Sequence, residues 1–161
     1  MASRSQEEMT RLGLFGLIPF VFSAVVLWLS PWLIPQYMAL DFHQIALVYG
    51  GVTVAYLAGL NAGGFLTSPS KAPGSFFQGQ IITLFAFLAI MPSGVFSFSV
   101  GSAWRHIVIL ILLIVLLLRD LNAANAGNLP RWYGALRVRL TFWAGVSIIL
   151  IFTRLFLWGF Y

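Results

Sequence analysis

The chain consists of long apolar runs separated by short polar joints. The runs lie at about 12–29, 43–66, 76–91, 104–118 and 138–160. A helix needs about 20 apolar residues to cross a hydrocarbon core of roughly 30 Å. A barrel strand would instead alternate between lipid-facing and lumen-facing positions over about ten residues. These segments are apolar on every side, so the pattern predicts an all-α, polytopic integral membrane helix bundle. About five transmembrane helices are expected, in a single domain covering 1–161.

The joints set the boundaries. Ser30-Pro31-Trp32-Leu33-Ile34-Pro35 reads as an interfacial turn, because proline cannot continue a helix without losing a hydrogen bond and tryptophan prefers the headgroup level. Pro19, inside the first run, predicts a kink. Thr67-Ser68-Pro69-Ser70-Lys71-Ala72-Pro73-Gly74 reads as a loop, and Pro92-Ser93-Gly94 ends the third run. The fourth contains twelve consecutive Ile, Val or Leu residues at 107–118. At about −0.3 to −0.6 kcal/mol each, these supply roughly −4 to −7 kcal/mol of insertion energy. Residues 119–129, with three Asn and a Gly, read as a loop. Asn128 is the expected cap of a last helix over 130–160, which has Pro130 in its first turn and its first residues outside the hydrocarbon. Glu7 and Glu8 argue against an organellar transit peptide, and the first run is read as a retained span.

Composition agrees: 60% of residues are hydrophobic, 13 of 161 are charged and the mean hydropathy is +0.94. A soluble domain would carry about a quarter charged residues. The absence of cysteine removes disulfides, thiolate metal sites and Cys nucleophiles. The net charge of +5 does not point to nucleic acid, because the nine basic residues are scattered between apolar runs. With five spans, Arg4, Arg11, Lys71, Arg119, Arg131, Arg137 and Arg139 fall on the N-terminal side and only Arg105 and Arg154 on the other. The positive-inside rule then places the N-terminus inside and the C-terminus outside.

Candidate chemistry is sparse. Gly51, Ala55, Gly59 and Gly63 repeat every four residues on the second span, a spacing that lets helix backbones approach closely. Contact within the bundle is the favoured use of this face, and self-association the other. Tyr49, Thr53 and Tyr56 form a second stripe about 100° away, suited either to gluing helices together or to lining a polar cavity, and Asn61 projects in a third direction. If a ligand binds, Tyr49, Tyr56 and Asn61 are the expected contacts, in a pocket between spans two, three and five. Asp41, His43 and His106 share one side. Neither histidine belongs to a paired spacing, Asp41 is the expected cap of the second span and both histidines are expected at exposed loops, so no metal site is predicted. Arg154 is the one charge well within a span and is read equally as functional or as snorkelling to the headgroups. Trp132, Tyr133, Arg137 and Arg139 are expected at the membrane interface, the aromatic rings at headgroup level and the arginines on anionic lipid. No Ser-His-Asp order, paired carboxylates or phosphate-binding glycine loop is present.

Three segments together resemble an uncharacterised transmembrane protein 69-like family: Arg11-Leu12-Gly13-Leu14-Phe15-Gly16-Leu17-Ile18-Pro19-Phe20; Tyr49-Gly50-Gly51 with Tyr56-Leu57-Ala58-Gly59; and Leu129-Pro130-Arg131-Trp132-Tyr133 with Leu136-Arg137 and Arg139-Leu140-Thr141. The resemblance implies about five helices in one domain of unknown function, in a bacterial inner (plasma) membrane or alternatively a mitochondrial inner membrane. Asn61-Ala62-Gly63 stands where the resemblance implies a His-Trp-Gly type sequence, a change that keeps hydrogen bonding but not imidazole proton transfer. The expected function is non-catalytic, with no cofactor. The leading expectation is an accessory, scaffold or assembly component that works beside a membrane-protein partner or as a homo-oligomer. The alternative is a binder or carrier of a hydrophobic small molecule such as a quinone, lipid or tetrapyrrole.

Overall fold

The computed structural model describes residues 4–67, 76–91 and 101–159, and among these there is no strand. The joints expected at Thr67 to Gly74 and at Pro92-Ser93-Gly94 lie outside the described residues, except for Thr67, which is the last residue of a helix. Six helices follow one another: α1 (Arg4–Phe15), α2 (Ile18–Leu29), α3 (Gln36–Thr67), α4 (Phe76–Ile90), α5 (Ser102–Asn125) and α6 (Arg131–Leu157). Helices α2 to α6 form a ring in chain order, closed by α2 against α6 and crossed by contact between α3 and α5, while α1 leans on α6.

Four stretches are long and apolar enough to cross a membrane: Gln6–Leu29, Gln36–Gly63, Ser102–Asn125 and Trp132–Leu157. Only 28–39% of their most apolar windows is buried within the chain, so most of that apolar surface faces outward, as a lipid-embedded bundle requires. The fifth expected span is the short one. At 15 residues, α4 is about 22 Å long, less than a hydrocarbon core of roughly 30 Å. It runs antiparallel to α3: a Cβ on Gly51 would strike Ile90, and one on Gly79 would lie 3.5 Å from the Ala58 carbonyl.

Four boundaries differ from the sequence expectation. The first span breaks at Gly16-Leu17, just before Pro19. Pro19 has no N–H to offer the Phe15 carbonyl, and the backbone tightens to a Leu17 N–H to Leu14 O bond of 3.1 Å before α2 begins. The second helix starts at Gln36, directly after Pro35, so Asp41 is an exposed residue within α3 and caps nothing. The fourth helix runs through the expected loop to Asn125. Gly127, at φ +77°, ends it by donating to Ala124 O (3.1 Å), while the Asn128 N–H reaches Ala123 O (2.9 Å), a paired closure that satisfies the last carbonyls. Pro130, not Asn128, stands at the N-cap of α6, with no side-chain cap bond.

Two polar contacts lock helices together inside this apolar shell. Asp120 and Arg137, 2% and 7% exposed, form an ion pair between α5 and α6, with Arg137 Nε 2.7 Å from Asp120 Oδ2. At the other end of the bundle, Arg154 donates to the carbonyls of Leu27 (3.3 Å) and Ser30, where α2 ends. Its guanidinium centre lies 5.5 Å from the Trp28 ring and 4.7 Å from that of Trp158. Trp28 Nε1 returns a bond to Leu150 O of α6 at 3.2 Å. Arg154 thus satisfies carbonyls at another helix's C-terminus, a role suited to a cation.

Arg154→Met should lower thermal stability in detergent by about 1.5–3 kcal/mol, the range for hydrogen bonds to a charged group. Arg137→Met should cost about 3–5 kcal/mol by stranding the Asp120 carboxylate, whereas Asp120→Leu combined with Arg137→Met should recover most of that loss. Melting curves of the three variants beside wild type measure both effects.

Candidate functional site

In the half of the bundle that carries the N-terminus, α1, the start of α2, α3 and α6 enclose a cavity of about 420 Å³, which Leu113 of α5 closes from behind. Its size lies within the range of small-molecule sites, roughly 300–1,000 Å³. Two local features open it. The interruption before Pro19 leaves α1 against α6 and α2 between α3 and α6. Gly13 and Gly16 then form part of the wall: a Cβ at Gly16 would lie 3.3 Å from the Tyr49 hydroxyl oxygen, and one at Gly13 would press into Leu140 at 2.6 Å.

The lining is mostly apolar, with polar groups at a few points. Tyr49 is fixed by an edge-to-face contact with Phe20, the ring centroids 5.4 Å apart. Thr53 spends its hydroxyl proton on the Tyr49 carbonyl (2.8 Å), so it faces the cavity as an acceptor only. Val52, Tyr56 and Leu60, spaced four apart on α3, are all exposed and mark the mouth. On the facing wall, α6 contributes Tyr133, Arg137 and Thr141. Tyr133 and Arg137 lie four residues apart, one turn from each other on that wall.

The structure therefore brings Tyr49 and Tyr56 to one cavity together with Thr53, but Asn61 does not line it. The expected location is corrected as well. The walls come from the first, second and fifth spans with Leu113 of the fourth, and α4 contributes no residue, because α4 packs on the opposite flank of α3. Arg137 is corrected from a lipid-facing to a buried position, since the two added turns of α5 carry Asp120 alongside it. Arg139 is exposed and Trp132 half-buried, with the Trp132 ring edge-on to Tyr133 at 6.2 Å. The four-residue stripe on α3 is not one continuous packing face. Gly51 meets α4, but among the described residues a Cβ on Gly59 would touch nothing within 4 Å, and Ala55 is half-buried. The buried face of α3 instead runs through Leu47, Val54 and Ala58.

At the other end of the bundle, His43 and His106 are buried, not exposed in loops, with ring centroids 5.7 Å apart. His43 Nε2 is 2.7 Å from Ser102 Oγ, while His106 faces two carbonyls, Ser102 O through Nδ1 (3.0 Å) and His43 O through Nε2 (3.3 Å). A neutral imidazole has one N–H, so it donates to one of those carbonyls at a time. These contacts join α3 to α5. Among the described residues, no three His, Cys, Asp or Glu side chains form a metal-binding group.

No curated protein and no solved structure gives a significant match to this chain. A family model does, over residues 5–153, which include every helix that lines the cavity. The chain belongs to the DUF3429 family, described as proteins of unknown function.

Proposed function

We propose that this protein is a non-catalytic binder or carrier of a hydrophobic small molecule, such as a quinone, lipid or tetrapyrrole, held within the bilayer. The observation that carries the reading is the 420 Å³ cavity, apolar over most of its wall, with Tyr49, Tyr56, Tyr133 and Arg137 as its polar points. An apolar chamber with a few placed polar groups is what orients a small ligand. The absence of paired carboxylates in the sequence supports binding over catalysis. The excess of basic residues on the N-terminal side supports a cytoplasmic N-terminus in a cell inner membrane. The three motifs beginning at Arg11, Tyr49 and Leu129 support a closer kinship with transmembrane protein 69-like sequences.

A second reading, an accessory subunit of a membrane complex or a homo-oligomer, is favoured by one observation. Among the described residues nothing lies within 4 Å of a Cβ built at Gly59 of α3, a small-residue position that another helix could approach closely.

Purification in mild detergent, with native mass spectrometry and solvent extraction, tests both. Wild type should retain about one small molecule per chain, and Val52→Trp combined with Leu60→Trp, which narrows the mouth, should retain none. Tyr56→Phe should weaken retention about two- to tenfold, the worth of one neutral hydrogen bond. A ligand-free wild type with the same mass profile as the tryptophan variant would contradict the binder reading. A ligand-free wild type that runs as a dimer or with a stoichiometric membrane-protein partner would favour the second.

A further inference from the structure

The chamber presents hydroxyl protons that the bundle itself does not use. Tyr49, Tyr133 and Thr141 line it, and among the described residues no hydrogen bond holds any of their hydroxyl groups. Their oxygens are not sealed off, whereas Arg137 Nη2 and Asp120 Oδ1 are closed within the protein. Thr53 needs no such partner, since its proton already goes to the Tyr49 carbonyl at 2.8 Å. A hydroxyl proton that faces apolar space without an acceptor is costly, and the wall brings none of its own oxygens to these three. The chamber therefore calls for a lone pair from outside the chain.

Tyr49 has the best-defined surroundings. Its ring is held edge-on by Phe20, with centroids 5.4 Å apart, and residue 16 stands directly beside its hydroxyl: a Cβ there would lie 3.3 Å from the oxygen. Glycine at that position leaves a space before the hydroxyl that any side chain would fill. Charge narrows what enters it. No Asp, Glu, Lys or His lines the chamber, and its single charged side chain, Arg137, is already paired with Asp120 at 2.7 Å. An ionised head would therefore enter an apolar space whose one cation already has its counter-charge. Among neutral groups, a carbonyl oxygen offers two lone pairs and brings no proton, whereas an alcohol adds a donor that needs an acceptor of its own.

We propose that the chamber takes a neutral apolar molecule by its carbonyl oxygen, which accepts a hydrogen bond from the Tyr49 hydroxyl in the space that Gly16 leaves open. The rest of the molecule lies against the hydrocarbon of the wall, which includes Leu57, Leu60 and Leu140. Gly16 is a specificity-determining residue: it touches no polar group of the ligand but keeps the donor accessible. The inference rests on the ligand-binding reading above and narrows it to one acceptor chemistry.

The test is equilibrium binding of tritiated 2-tridecanone to the full chain in an uncharged maltoside detergent. The competitors are 2-methyltridec-1-ene, which replaces the carbonyl oxygen by a methylene group, together with 2-tridecanol and dodecanoate. The alkene should compete about two- to tenfold more weakly than unlabelled ketone, the worth of one neutral hydrogen bond. Tyr49→Phe, which keeps the ring against Phe20, should abolish that preference while alkene binding persists. Gly16→Ala should abolish it too, although the hydroxyl is still present, because the added methyl crowds its oxygen. A wild type that binds ketone and alkene equally, or that prefers the alcohol or dodecanoate to the ketone, would overturn the carbonyl inference and leave the ligand-binding reading standing. So would a ketone preference that survives in a folded Tyr49→Phe variant. No binding of any of the four, in wild type as in the Val52→Trp, Leu60→Trp variant, would overturn both.

Discussion

The ion pair between Asp120 and Arg137 sets the relation on which the rest of the bundle depends. It lies buried between α5 and α6, so a slip of either helix by one turn would leave two charges without the partners they now have. Helix α6 in turn supports α1 and α2, and the same stretch of α6 forms one wall of the cavity. A contact that fixes register thus also fixes where the cavity's polar corner lies.

The ends of the helices follow a related constraint. In hydrocarbon, every backbone N–H and C=O must be satisfied by the protein, and helix termini are where that is hardest. Gly127 closes α5 with its own backbone, while α2 relies on Arg154 reaching across from α6. The second solution ties two helices together at the end far from the cavity, where the histidine contacts join α3 to α5. The cavity half lacks comparable clamps on α1, whose main packing among the described residues is against α6. Arg154 and the histidines therefore tie one end of the molecule, and at the other the Asp120–Arg137 pair lies beside a chamber with its mouth along Val52, Tyr56 and Leu60.

Much of this architecture was legible in the sequence, because apolar runs mark lipid-crossing helices directly. The stripe of Tyr49, Thr53 and Tyr56 was also legible, since helical periodicity alone places these residues on one side of α3, and all three face the cavity. The extra turns of α5 were not. Three asparagines between 119 and 129 lower helix propensity, and what overrides them is tertiary contact with α6 together with the Gly127 closure. That misreading hid Asp120 and left Arg137 assigned to lipid. The contribution of α1 to the cavity wall was hidden for another reason: it depends on how the chain redirects at Gly16-Leu17, which the kink expected at Pro19 does not specify. The single-faced stripe of small residues misled because spacing reports which residues align but not which face the neighbouring helix occupies. Gly51 meets α4 and Gly59 does not.

The account's central claim is that the bundle holds a hydrophobic small molecule in the chamber lined by Tyr49, Tyr56 and Tyr133. It is tested most directly by an experimental density map of the protein isolated from its own membrane without added ligand. The account predicts a non-protein density between α1, α3 and α6, in contact with those tyrosines. A chamber closed by the chain's own side chains would contradict it.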